Sequence, residues 1–81
     1  MQKSVRERIN EVVDEVSMSI SEAADVYRVC CWMMRAGFGA CIYPEYKRTY
    51  ATVATEMEDL IHLYDNENGK YIIADIRNSD I

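Results

Sequence analysis

Proline occurs once in these 81 residues, at Pro44; Trp32, Phe38 and His62 are also the single residues of their types, and there are three glycines. With so few glycines there is no glycine-rich phosphate loop, and no serine sits in a nucleophile elbow. One histidine leaves little for acid–base relays. Internal repeats, linkers and low-complexity blocks are missing as well. The longest run of apolar side chains, residues 29–34, is closed by Arg28 and Arg35. That is far short of the roughly 18 to 20 residues a membrane span requires.

Cysteine is scarce and unpaired in pattern: Cys30 and Cys31 are adjacent, Cys41 is the third, and nothing at the start of the chain reads as a hydrophobic leader. An odd count with two neighbours is a poor disulfide framework, so reduced thiols and a cytoplasmic location are expected. Positive charge is the scarcer sign. Nine basic residues against fourteen acidic ones give a formal charge of −5, which disfavours direct binding to nucleic acid or anionic membrane and suits a partner with a basic surface. The same acidity also serves plain solubility.

What the chain does have is apolar content, 49% of its residues. Residues 1–81 are expected to form one small domain. A domain this short buries only about 60 to 65% of the surface its unfolded chain exposes, so a homodimer or higher homo-oligomer is expected to supply further burial.

Periodicity predicts helices over about 4–17, 20–36 and 44–64. Ser4 with Glu7 has capping-box spacing, and Val5, Ile9, Val12, Val13 and Val16 recur at threes and fours behind it. Between residues 17 and 21 serines alternate with Val16, Met18 and Ile20. Ser19 with Glu22 then repeats the capping box, which favours a break over one uninterrupted helix. In the second helix the stripe is Ile20, Ala23, Tyr27, Cys30 and Met34, and the consecutive apolar residues 29–34 lead us to expect burial on more than one face. Gly37 followed by Phe38 is the signature of a Schellman ending. Pro44 and Glu45 suit the first turn of the third helix, whose stripe is Tyr46, Tyr50, Val53, Met57, Leu60, Ile61 and Tyr64.

Asp65-Asn66-Glu67-Asn68-Gly69 is a turn by composition, and the aromatic and β-branched residues after it read as a strand over about 70–76. Its pairing partner is residues 40–43, the same strand of a second subunit, or residues 59–64 in a hairpin. Residues 40–43 are themselves either a second short strand or a packed connection, and the tail 77–81 is expected to fray. The fold class is thus α+β and mainly helical.

Candidate chemistry is thin. Cys30, Cys31, Cys41 and His62 add up to four potential metal ligands, but adjacent cysteines on a helix diverge by about 100° and the spacing is wrong for a zinc knuckle, so no metal is expected. Asp65-x-Glu67-x-Gly69 misplaces the glycine and the closing glutamate of a calcium loop. The cysteines lie among Val, Trp and Met rather than in the electropositive setting that activates a thiol. Neither a catalytic function nor a cofactor is expected. Glu56, Glu58 and Asp59 read as a solvated helix face.

In size, acidity and want of catalytic groups the chain is similar to the small inhibitors that phages and mobile elements carry, a likeness of type and not of family. The expected function is a non-enzymatic acidic binding protein, an inhibitor or modulator that blocks a protein partner by occluding its surface, for instance a nucleic-acid-handling or defence protein. The acidic face would be Glu11, Asp14, Glu15, Glu56 and Asp59; Trp32, Met33 and Phe38 would form the oligomer interface. An alternative of another class is an oligomer that sequesters a small anionic ligand such as a nucleotide through Tyr43, Tyr46, Lys47, Arg48 and Tyr50, where aromatic faces and cations crowd together.

Overall fold

The computed structural model of the protein describes residues 4, 7, 18–64 and 66–79. The helix expected over 4–17, with Glu11, Asp14 and Glu15, lies outside the described residues, Ser4 and Glu7 excepted. There the Ser4 hydroxyl accepts from the Glu7 amide at 3.2 Å, as the capping box requires. Among the described residues the fold is mainly helical α+β, with three helices and a two-stranded antiparallel sheet.

Helix α1 spans Ile20–Arg35 and begins at the serines, not before them. Ser19 is extended at φ −80°, ψ 165°; its hydroxyl accepts from the Glu22 amide at 3.2 Å, and the Glu22 carboxylate accepts from the Ser19 amide at 3.1 Å. Both orphan donors are satisfied, so the break costs little. The other end is a Schellman motif: Phe38 donates to the Met33 carbonyl at 2.8 Å and Gly37, at φ +88°, to that of Met34 at 3.1 Å.

Strand β1, Ile42–Tyr43, pairs with β2, Arg48–Thr49, in the register Ile42 to Thr49 and Tyr43 to Arg48. Residues 42 and 43 therefore pair within their own hairpin and not with the C-terminal segment. Pro44 does not start a helix. Its restricted φ serves the second position of a turn, in which Tyr46 and Lys47 both donate to the Tyr43 carbonyl. Lys47 then takes φ +53° to bring the chain back into the sheet. Helix α2 follows directly as Tyr50–Tyr64, capped by Thr49, whose hydroxyl accepts from the Thr52 amide at 3.2 Å.

The expected strand over 70–76 is a helix. Helix α3 spans Asn66–Asn78 and buries Gly69, Ile73 and Ile76, spaced four and three apart, while Tyr71 and Asp75 face outward. β-Branched residues paid for their poor helix propensity with this one packed face. A hairpin over 59–64 is likewise excluded, since those residues are in α2. The described part of the tail does not fray away from the domain: Arg77 and Asn78 complete α3, and the Ser79 hydroxyl donates to the Ile76 carbonyl at 2.8 Å.

The core joins Ala23, Tyr27 and Cys30 of α1 to Val53, Ala54, Met57, Leu60 and Ile61 of α2, with Ile73 and Ile76 of α3. The buried centre is thus α2, which packs against both other helices. Residues 29–34 are not buried on several faces: Val29, Trp32 and Met34 are exposed, Trp32 by 44%. Only the Cys30 position continues the stripe inward.

Candidate functional site

One side chain from each helix meets at the edge of the core. Tyr27, on the inward stripe of α1, carries its hydroxyl past the apolar layer. It donates to Glu58 Oε2 of α2 at 3.0 Å and accepts from Arg77 Nε of α3 at 2.9 Å, while Arg77 Nη2 donates to the same carboxylate oxygen at 2.5 Å. Tyr27 is 2% exposed, and burial pushes its hydroxyl above the ordinary tyrosine range, with Arg77 opposing and Glu58 adding to the rise. Protonated at neutral pH and bonded on both sides, it is a strut between three helices.

Arg35, in the last turn of α1, closes the same corner. Its guanidinium donates to the carbonyls of Ile76, Arg77 and Ser79, groups that the end of α3 leaves without helical partners. A cation there also opposes the negative end of the helix dipole.

Two recesses flank this clasp of Tyr27, Glu58 and Arg77. The first, about 320 Å³, has walls of Met34, Ala51 and Ala54 beside Cys31, with Thr55 and Arg35 at its margin. The second, about 330 Å³, is bounded by His62, Lys70 and Asn78 over Ile73 and Ala74. Glu58 and Arg77 line both, so the ion pair is the partition between them. Each volume lies at the lower end of small-molecule sites.

The tyrosine-rich stretch is used by the fold. Tyr43 meets Tyr46 edge-on at 4.9 Å and stacks on Tyr50 at 4.7 Å, and all three are half-buried against the core. Arg48 Nη1 donates to Glu56 Oε1 at 2.9 Å and lies 2.7 Å from Oε2. Lys47 is exposed at the turn. The aromatic faces and Arg48 are thereby committed to one another. Glu56 is no part of a solvated acidic face, being 4% exposed and paired with Arg48 of β2; Asp59 is half-buried. The sequence pattern hid this because Glu56 directly precedes the stripe residue Met57 and reads as its polar neighbour. Trp32 and Phe38 are exposed at the C-terminal end of α1, and Met33 is half-buried between them in sequence.

The three cysteines are free thiols in different surroundings: Cys30 buried, Cys31 half-buried, Cys41 exposed. Burial pushes the Cys30 thiol up to about 12, with Cys31 adding to the rise. Among the described residues no three His, Cys, Asp or Glu side chains gather as metal ligands, and no described helix is long and apolar enough to cross a membrane.

Sequence reasoning did not bring Tyr27, Glu58 and Arg77 together. Tyr27 read as core, Glu58 as solvated and Arg77 as tail. The available signal was Arg77 falling four residues after Ile73 and one after Ile76, the spacing of a helix that continues. No family model, curated protein or solved structure matches the chain.

Proposed function

We propose that the protein is a non-enzymatic binding module that associates with a second copy of itself through the C-terminal half of α1 and blocks a protein partner by covering its surface. The observation that supports this reading is the uncharged group Val29, Trp32 and Phe38, exposed by 38, 44 and 49% on a domain too small to bury them. Val29 and Trp32 lie one helical turn apart, so they share a face, and Met33 and Phe38 continue it at the Schellman turn. Aromatic anchors of this kind dominate association energies. The formal charge of −5 directs the remaining surface toward a basic partner, whose binding weakens as salt screens it.

Sedimentation of the wild type at about 10 to 100 μM, the range in which a modest interface of roughly 7 kcal/mol populates dimers, is expected to give twice the monomer mass or more. Trp32→Glu is expected to sediment as a folded monomer with an unchanged helical circular dichroism spectrum. A wild type that stays monomeric over that range sinks the association. A partner whose binding is indifferent to salt sinks the charge complementarity.

A further inference from the structure

The clasp divides a basic cleft in an acidic protein. Arg35, Arg77 and Lys70 border the two recesses, and among the described residues Glu58 is the single carboxylate that faces them, whereas the chain as a whole carries −5. Arg35 spends its donors on main-chain carbonyls and, among the described residues, meets no carboxylate there. Arg77 is only partly used: Nε and Nη2 are bonded, while Nη1 carries no hydrogen bond among the described residues. Lys70 is exposed beside it. On one side of these cations lies the first recess, whose wall of Met34, Ala51 and Ala54 offers small apolar surface and no further charge.

The geometry points to this cleft as a binding site for a small amphipathic organic anion, a phosphate monoester or carboxylate on a compact apolar body. The body lodges between Met34 and the two alanines. The anionic group meets the free edge of Arg77, with Lys70 adding charge from the second recess and Arg35 from the first. A volume of about 320 Å³ admits a ring-sized body. A planar guanidinium edge already held in place by Tyr27 and Glu58 pays little entropy to accept an oxyanion. The site uses neither the outer face of α1 nor the tyrosine hairpin, so it stands or falls apart from the association proposed above.

The test is a titration of the ¹⁵N-labelled full chain, followed by amide chemical shifts, with four probes: phenyl phosphate, phenylacetate, inorganic phosphate and neutral phenylacetamide. Saturating shifts are expected at Ala51, Thr55 and Arg77 with at least one of the two organic anions, about tenfold tighter than with inorganic phosphate or the amide, the margin of one charge-assisted contact or one buried ring. Which organic anion binds distinguishes the phosphate and carboxylate sources. Lys70→Gln removes a cation that makes no hydrogen bond or ion pair among the described residues and is expected to weaken binding about fivefold. Thr55→Phe, at an exposed position, fills the mouth and is expected to abolish it, and the melting temperature of each free variant reports that it remains folded. The proposal is overturned if neither organic anion saturates these shifts, if the neutral amide binds as tightly, or if both folded variants bind like the wild type.

Discussion

Replacing Gly69 by alanine sets helix propensity against helix packing, and the structure decides the sign. In a free helix the change is favourable by about 0.8 to 1 kcal/mol, because glycine loses more backbone entropy. In α3 the added Cβ would lie 2.9 Å from the Ile61 carbonyl oxygen, 3.0 Å from Ile61 Cγ2 and 3.3 Å from the Ile61 carbonyl carbon. Comfortable separations are roughly 3.3 Å or more for the oxygen and 3.5 to 4.0 Å for the carbons. The carbonyl belongs to the backbone of α2 and cannot rotate aside, so α3 has to withdraw by about half an ångström at its closest approach. Withdrawal loosens Ile73 and Ile76, which are 4% and 2% exposed against the same helix. Overpacking against a rigid neighbour costs about 1 to 3 kcal/mol. With backbone on the receiving side we expect the upper end, and a net loss of about 2 kcal/mol after the propensity gain. For a domain of this size that lowers the melting temperature by roughly 8 to 16 °C. Urea and thermal unfolding followed by circular dichroism measure both quantities, with Lys70→Ala, one position along and exposed, as the neighbour that should change stability by less than about 0.5 kcal/mol. A Gly69→Ala protein more stable than the wild type would refute the close crossing of α2 and α3.

The buried pair between Arg48 of β2 and Glu56 of α2 gives a second prediction. Arg48→Ala removes the cation beside Glu56 and is expected to cost about 3 kcal/mol, the lower end for a broken buried pair because solvent reaches the Arg48 side. Arg48→Met combined with Glu56→Leu should recover most of that loss in the same urea assay, and a single-variant cost below about 1 kcal/mol would mark the pair as an ordinary surface contact. A third concerns alkaline pH. The thiol of Cys30 is pushed up to about 12 and the hydroxyl of Tyr27 is also raised, so the folded state holds these protons where the unfolded chain has begun to release them. The Cys30 contribution to stability is therefore lost as pH rises above about 8.5, the pKa of the unfolded thiol, and that of Tyr27 above about 10, each by up to about 1.4 kcal/mol per pH unit. Unfolding midpoints that stay level between pH 8 and 11 would contradict this. Alkylation at pH 8 should likewise modify Cys41 well before Cys30, as read by mass spectrometry.

The clasp gives the corner between the helices a role that packing alone would not require. A tyrosine whose ring is core and whose oxygen reaches the rim couples α1 to both other helices, and the ion pair it touches forms the wall between two recesses. Polar groups held this way specify one arrangement of neighbouring helices only when every member is bonded. Here the Tyr27 oxygen both donates and accepts.

Local signals determined much of this chain by themselves. The Ser19 capping box and the Gly37 ending were legible because caps are satisfied within a few residues, by groups adjacent in sequence. The inward stripe of α2 was legible for a similar reason, since Val53, Met57, Leu60 and Ile61 recur at the period of the helix whatever they pack against. The ambiguous segments were those whose local chemistry fits two structures. Pro44 suits a first helical turn and a hairpin turn equally, and the choice was made by the pairing of Ile42 with Thr49 and Tyr43 with Arg48. Residues 70–76 carry strand-forming side chains, yet a helix there lets Gly69 approach Ile61 closely and places Ile73 and Ile76 in the core, a gain that exists only once α2 is in position. The same holds for the candidate site. Tyr27, Glu58 and Arg77 are separated by 31 and 19 residues, and no sequence period links them. Only the crossing of the three helices brings a core tyrosine, a surface acid and a tail arginine within hydrogen-bonding distance.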